Sequence, residues 1–328
     1  MRINRHTIGS VSAAIAVLLA TVIAPAPGRA QEYQVLATYQ GEGGSTPQSL
    51  EVDAKARRLY AGRRGAVDVY DIDSGQKVGA IETKGTVGGL ALAPDLRRGY
   101  ATSVEDGTVL LFDLDTAAVV ATVPSGGAEP RELEYDATNA TLYVSNAKDG
   151  RLAALDGRNG TGKGVLDLGG RLRQASADGR GNLFVADEAR DVLHVVDTAS
   201  LKTLGAISVW PGKAPTGVAN DVKERRIYVS TGNGKMIVVD PDPGQMLGVV
   251  ETGGKGGAGI AIQYAPARLV RLYMPSADGT LDVVANAKLT PSLEASLPGT
   301  GSGTAVAFDE KTGRAFIAGP NGIQVVGK

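Results

Sequence analysis

Short apolar runs alternate with polar turns along almost the whole chain, and one arrangement returns seven times. Each unit reads as a polar turn, a pair ending in an aromatic, small residues, a second turn and then an alternating apolar run. The pairs are Leu59-Tyr60, Gly99-Tyr100, Leu142-Tyr143, Leu183-Phe184, Ile227-Tyr228, Leu272-Tyr273 and Ala315-Phe316. Their aromatics lie 40, 43, 41, 44, 45 and 43 residues apart, which is the signature of an internal repeat. In the first unit the pattern predicts strands at Ser49–Asp53, 58–62, 66–72 and 77–82, separated by Asp53-Ala54-Lys55, Arg64-Gly65 and Asp73-Ser74-Gly75. Alternation and β-branched content favour strands, and no stretch after the N-terminal segment keeps a helical period for three turns. Four strands in about 40–45 residues make one propeller blade. The expected fold is all-β, a seven-bladed β-propeller with four-stranded blades.

The two ends complement each other. The seventh unit supplies three strand signals, at 304–308, 314–318 and 322–326, and lacks an outer one. Residues 33–39 (YQVLATY) precede the first complete unit and read as a lone outer strand. Pairing that N-terminal strand into the last blade would close the ring and remove two open strand edges together.

The first thirty residues fall outside the repeat. Arg2, Arg5 and His6 precede an apolar stretch from Val11 to Ala24, followed by Pro25, Pro27 and the small-residue site Gly28-Arg29-Ala30. This is the layout of a secretory signal peptide, and the apolar stretch is shorter than the roughly 20 residues a membrane span requires. Residues 1–30 are therefore expected to be removed, leaving residues 31–328 as a single propeller, exported to the periplasm or secreted, without stable membrane insertion. Cleavage takes three of the 34 basic groups and no acidic one, so 31 face 35 and the net charge becomes −4. That balance lacks the broad positive field that duplex nucleic acid demands. The chain has no cysteine, which excludes thiol catalysis, thiolate metal sites, iron–sulfur clusters and covalent c-type haem. Once His6 has left with the signal, His194 is the only histidine.

Tyr143-Val144-Ser145-Asn146, Tyr228-Val229-Ser230-Thr231 and Phe184-Val185-Ala186-Asp187 closely resemble the tetrapeptide of the YVTN-repeat propellers. Thr46-Pro47-Gln48, Glu129-Pro130-Arg131 and Ala214-Pro215-Thr216 are similar to that family's lead into the inner strand. The resemblance covers nearly all of residues 31–328 and points to the exported YncE-like branch, although the first, second and sixth units depart from the tetrapeptide. It implies the propeller fold. Related propellers serve as binding proteins, as scaffolds beside quinoprotein dehydrogenases, or as lactonases.

Several chemical motifs reduce to structure. His194 sits in a strand whose equivalent positions hold Asp68, Leu110, Ala153, Ile237, Asp282 and Gln324, so an interblade residue is expected rather than a catalytic one. Asp71, Asp113, Asp156, Asp197 and Asp240 close the third strand of five units, and two of them open calcium-like D-x-D-x-G runs that lack the later bidentate glutamate; turn capping is expected there. Gly254-x-Gly256-x-x-Gly259 matches a dinucleotide fingerprint, but a strand at 260–264 follows where a helix is needed. Asn139-Ala140-Thr141 and Asn159-Gly160-Thr161 match glycosylation sequons and carry no further inference.

Topology leaves one face. Loops leading into the inner strands and joining second to third strands gather around one mouth of the channel, and loops on a rigid scaffold carry function. They bring Arg63, Glu105, Glu129, Arg131, Asn146, Arg173, Asp187, Trp210 and Lys213 to that face. Trp210 is the only tryptophan, and a loop tryptophan beside arginines has the composition of an interface hot spot. A large indole could instead be packed on a neighbouring blade. The expected function is a non-enzymatic, monomeric binding or scaffold module for a protein partner or small ligand, with no resident cofactor. Two alternatives stand beside it. One is a lactonase-type hydrolase with a divalent metal such as calcium held by Glu105, Glu129, Asn146 and Asp187. The other is single-stranded nucleic-acid binding through arginines and Trp210. Convergence of three or more of those oxygens would favour the metal; dispersed carboxylates paired to arginines would favour the binding module.

Overall fold

A computed structural model describes residues 32–40, 45–242, 244–266, 269–287, 290–300 and 303–328. The export signal expected over residues 1–30 lies outside them. Among the described residues no helix is long and apolar enough to cross a membrane.

The strands of residues 33–328 form seven antiparallel blades in a ring. The inner strands are Ser49–Asp53, Leu90–Ala93, Pro130–Asp136, Leu172–Ala177, Pro215–Asp221, Ala261–Ala265 and Ala305–Asp309. Each contacts the next around the channel, and the last contacts the first. In blade 1 the second and third strands run on as Arg58–Asp71, whose two halves pair with Ser49–Asp53 and with the outer strand Lys77–Thr86. The reversal between them falls at Gly65, whose φ of +83° suits a residue without a Cβ.

The ring closes as the ends of the chain suggest. Gln34–Tyr39 pairs antiparallel with Gly322–Gly327 and becomes the outer strand of blade 7. It also carries the mark of an outer strand. Every outer strand meets its third strand with a bulge near the third strand's lower end, and Gln34–Tyr39 has the corresponding shift between Val35 and Ala37. Bulges twist an open edge away from further pairing, so seven of them protect a rim that would otherwise offer seven strand edges.

The period of the aromatics has a packing cause. Buried apolar side chains form seven clusters among the described residues, one in each seam between neighbouring blades. Tyr60, Tyr100, Tyr143, Phe184, Tyr228, Tyr273 and Phe316 each fill one seam and are at most 2% exposed. Where the aromatic is tyrosine, its hydroxyl can reach the turn beyond the next blade's third strand: Tyr100 donates to the Gly157 carbonyl at 2.5 Å, and Tyr60 to that of Leu114 at 3.4 Å. Phe316, in the seam between blades 7 and 1, has no hydroxyl. Tyr39 of the N-terminal strand supplies it, donating to the equivalent Ile72 carbonyl at 2.6 Å.

Arginine clamps reinforce this part of the ring on the lower face, at the turns that end the inner strands. Arg57 binds Asp309 of blade 7 at 2.8 Å and Asp73 of its own blade at 2.6 Å. Arg97 likewise joins Asp53 of blade 1 to Asp115 of blade 2. Asp53 and Asp309 are almost fully buried, so each clamp neutralises a carboxylate that water cannot reach. The aspartates closing the third strands cap their turns as expected: the Asp71 carboxylate accepts the Ser74 N–H at 2.9 Å and that of Asp197 accepts the Ser200 N–H at 2.7 Å.

Candidate functional site

The upper face is the end of the blades that carries the loops leading into the inner strands. The nine residues expected there are distributed over blades 1 to 5, and most hold partners within the chain. Arg63 turns inward onto buried Asp68 at 2.6 Å. Glu105 accepts the Thr86 N–H and hydroxyl at 2.6 and 2.8 Å, contacts that hold its carboxyl below the usual range. Glu129 pairs with Arg131 at 2.6 Å. The Asn146 amide donates to the carbonyls of Ser125, Val144 and Arg151. Arg173 approaches Glu188 at 3.6 Å and Glu132 at 4.0 Å.

Asp187 is fully buried and anchors the joint between blades 3 and 4. It accepts the N–H groups of Arg171 and Ala189 at 3.0 and 3.1 Å, and lies 3.1 Å from His194 Nε2. His194 is itself 8% exposed and stands across from Val185 in the ladder, the interblade place expected for it. Glu105 on blade 2, Glu129 and Asn146 on blade 3 and Asp187 on blade 4 thus serve separate partners. Among the described residues no group of three or more histidines or carboxylates is placed to hold a metal ion. The Gly254–Gly259 run is a blade joint, its Gly256 N–H donating to the Gly232 carbonyl at 3.0 Å, and the strand after it spans Ala261–Ala265.

Trp210 differs from the rest, with 71% of its surface exposed. Its loop follows the outer strand Lys202–Ser208 and is tied down on both sides. The Val209 N–H donates to the Asp191 carbonyl at 3.1 Å and the Ala214 N–H to the Asp191 carboxylate at 2.7 Å. Asn233 accepts the Lys213 N–H at 2.9 Å and donates to the Pro211 carbonyl at 3.1 Å. Hence the indole stands out from a braced loop and is not packed on a blade.

The channel holds a feature that the repeat pattern hides. Glu51, Glu132 and Glu134 extend from inner strands into a space lined also by Gln174, Ser176 and Asn220. Glu134 accepts the Ala177 N–H of the neighbouring inner strand at 2.9 Å, and Gln174 accepts that of Val218 at 3.3 Å. These acceptors satisfy inner-edge N–H groups that no further strand can pair. By surface the three acids are half-buried within the channel. Burial pushes Glu51 up to about 8, with the charge of Glu134 adding to it, and Glu134 also up to about 8. Glu132 is raised by burial against the pull of Arg173 and Arg131. A readable signal existed: two places before the aspartate that closes the inner strand, Glu51 and Glu134 stand where other repeats hold Ala219 or Ala307.

No protein-family model matches the chain. Two curated proteins are similar to it, both named uncharacterized protein YncE. The one from Escherichia coli O157:H7 is 29% identical over 122 residues, and the one from Escherichia coli strain K12 is 27% identical over 122 residues. Each match covers 34% of this chain and 34% of the relative, so the chain spans about a third of the length of the curated relatives it matches.

Proposed function

Proceeding from a YncE-like β-propeller, we propose that the protein acts outside the cytoplasm as a binding or scaffold module, taking a protein partner or small ligand on its upper face around Trp210. The observation that carries this reading is the 71% exposure of Trp210 on a loop hydrogen-bonded to Asp191 and Asn233. An indole buries roughly 150–250 Å² when covered. A braced loop loses little freedom on binding, so more of that burial is retained as affinity. Exposed aromatics held in this way are the anchors around which interfaces concentrate their energy. The metal-dependent hydrolase, by contrast, would require Glu105, Glu129, Asn146 and Asp187 to leave their present partners and converge.

The test is a photo-crosslinker placed at Lys213, beside the indole, and in a second variant at Lys202, low on an outer strand. One defined adduct from the exported fraction at position 213, absent at 202 and lost on Trp210→Ala, is expected. Equal labelling at both positions, or an adduct indifferent to Trp210→Ala, would overturn the reading.

A further inference from the structure

The loops next to Trp210 share a charge pattern that the chain's overall acidity conceals. Arg151, Arg171 and Arg190 each have a carboxylate partner, and in each pair the arginine is the outer member. Side-chain exposure is 51% for Arg151 against 29% for Asp149, 52% for Arg171 against 29% for Glu188, and 51% for Arg190 against 0% for Asp187. In the lower-face clamps the arginine is instead covered by a second, more exposed carboxylate. Arg57 is 13% exposed against 58% for Asp73, and Arg97 is 24% against 62% for Asp115. Arg158, 63% exposed against 24% for Asp156, shows the same order on the lower face, so what sets this sector apart is three such arginines on neighbouring loops. Lys148 and Lys213 are exposed beside them, while the exposed carboxylate of these loops, Asp167, is turned onto the Gly169 N–H at 3.0 Å.

Hydrogen bonds join these positions into one arc. The Leu168 N–H donates to the Gly150 carbonyl at 3.0 Å, linking the turn of Lys148 and Arg151 to the joint that carries Arg171. Arg190 donates to the Leu168 carbonyl from the next turn. Asp191, its neighbour, holds both sides of the Trp210 loop. Arg151 and Arg171 approach their partners through Nε, at 3.8 and 3.2 Å, with side chains 51% and 52% exposed. A second carboxylate is what a guanidinium in that state accepts best, through paired N–H donors.

We propose that the arc Lys148–Arg151–Arg171–Arg190–Lys213 binds an acidic polypeptide segment whose apolar side chain packs on Trp210. The proposal rests on the binding face inferred above and adds the chemistry of its partner. Spaced cations around one aromatic match spaced carboxylates around one apolar residue, and electrostatic complementarity of this kind sets orientation and partner choice.

Trp210, the sole tryptophan, supplies the assay. Its emission is followed while the protein is titrated with a glutamate-rich peptide bearing one central phenylalanine, with the same peptide made with glutamine, and with an oligothymidylate. The acidic peptide should shift and quench the emission. Its affinity should fall about two- to fivefold with each of Arg171→Ala and Arg190→Ala, the range of exposed ion pairs. The binding should vanish near 1 M salt, where the screening length shrinks to about 3 Å. No response to the acidic peptide, or an equal response to the glutamine version, overturns the proposal. A response confined to the oligothymidylate overturns it in favour of a nucleic-acid surface. In each case the crosslink at position 213 decides separately whether the binding face stands.

Discussion

Truncating Tyr39 is the sharpest test of how the ring is held. This residue belongs to the N-terminal strand, yet it is 8% exposed and lies in the seam between blades 7 and 1. Its ring centroid is 6.1 Å from that of Tyr70 and 5.9 Å from that of Phe316, and its hydroxyl donates to the Ile72 carbonyl. Gly75 makes room for it, since a Cβ there would stand 2.5 Å from the Tyr39 ring. Tyr39→Ala removes a buried aromatic, a change that costs about 3–5 kcal/mol. It also strands the Ile72 carbonyl, adding about 1 kcal/mol. Native domains are stable by about 5–15 kcal/mol, so the variant forfeits about a quarter or more of the margin. At roughly 2 °C per kcal/mol for a large domain, Tm should fall by about 8–12 °C. Tyr39→Phe keeps the ring and should cost only about 1 kcal/mol. Urea and thermal melts followed by far-UV circular dichroism will read both, whereas Trp210 is already solvent-exposed in the fold and reports unfolding poorly. Leu204→Ala, on an outer strand and 62% exposed, is the control and should stay within about 0.5 kcal/mol. If Tyr39→Ala melts with that control, the N-terminal strand does not hold the seam.

Two other perturbations address the clamp and the channel. Arg57→Ala leaves Asp309 buried without its cation and should cost about 3–5 kcal/mol in the same melts; a loss under about 1 kcal/mol, the range of an exposed pair, would show that the clamp is ornamental. Glu51 and Glu134, raised to about 8 from an ordinary 4.5, keep their protons in the folded protein through a range where the unfolded chain has released them. Their contribution is therefore complete below about 4.5 and is lost as pH rises through about 8. Glu51→Gln cannot ionise and should flatten the decline of the urea midpoint across that window, so parallel pH profiles for variant and wild type would refute the assignment.

What could be read from the sequence depended on how often it was said. The seam aromatics are stated seven times at one spacing, and the fold followed from them with its closure. The turn aspartates and the glycine joints were legible for the same reason. Arg57 and Arg97 were missed, although Arg57-Arg58, Arg97-Arg98 and Arg225-Arg226 repeat at one position, because their partners lie in other blades. Arg57 meets Asp309 across 252 residues, and no local pattern announces such a contact. The exposure of Trp210 was undecidable for a related reason: the hydrogen bonds of Asp191 and Asn233, not the composition of the loop, keep the indole out.

A ring of near-identical blades also says where its function is to be sought. Positions that recur in every blade serve the seams, since each seam needs the same filling, and recurrence is what a shared structural task leaves in a sequence. A ligand does not have sevenfold symmetry, so its contacts must fall where blades differ. Trp210 has no counterpart in the other loops, and the outward arginines next to it gather on blades 3 and 4. The channel acids also depart from the repeat, but one of them is accounted for by the backbone: Glu134 satisfies the Ala177 N–H, a need created by the open inner edge. No such need explains an indole 71% exposed on a loop braced from both sides. That asymmetry between an explained irregularity and an unexplained one is why the binding reading is placed on the upper face and not in the channel.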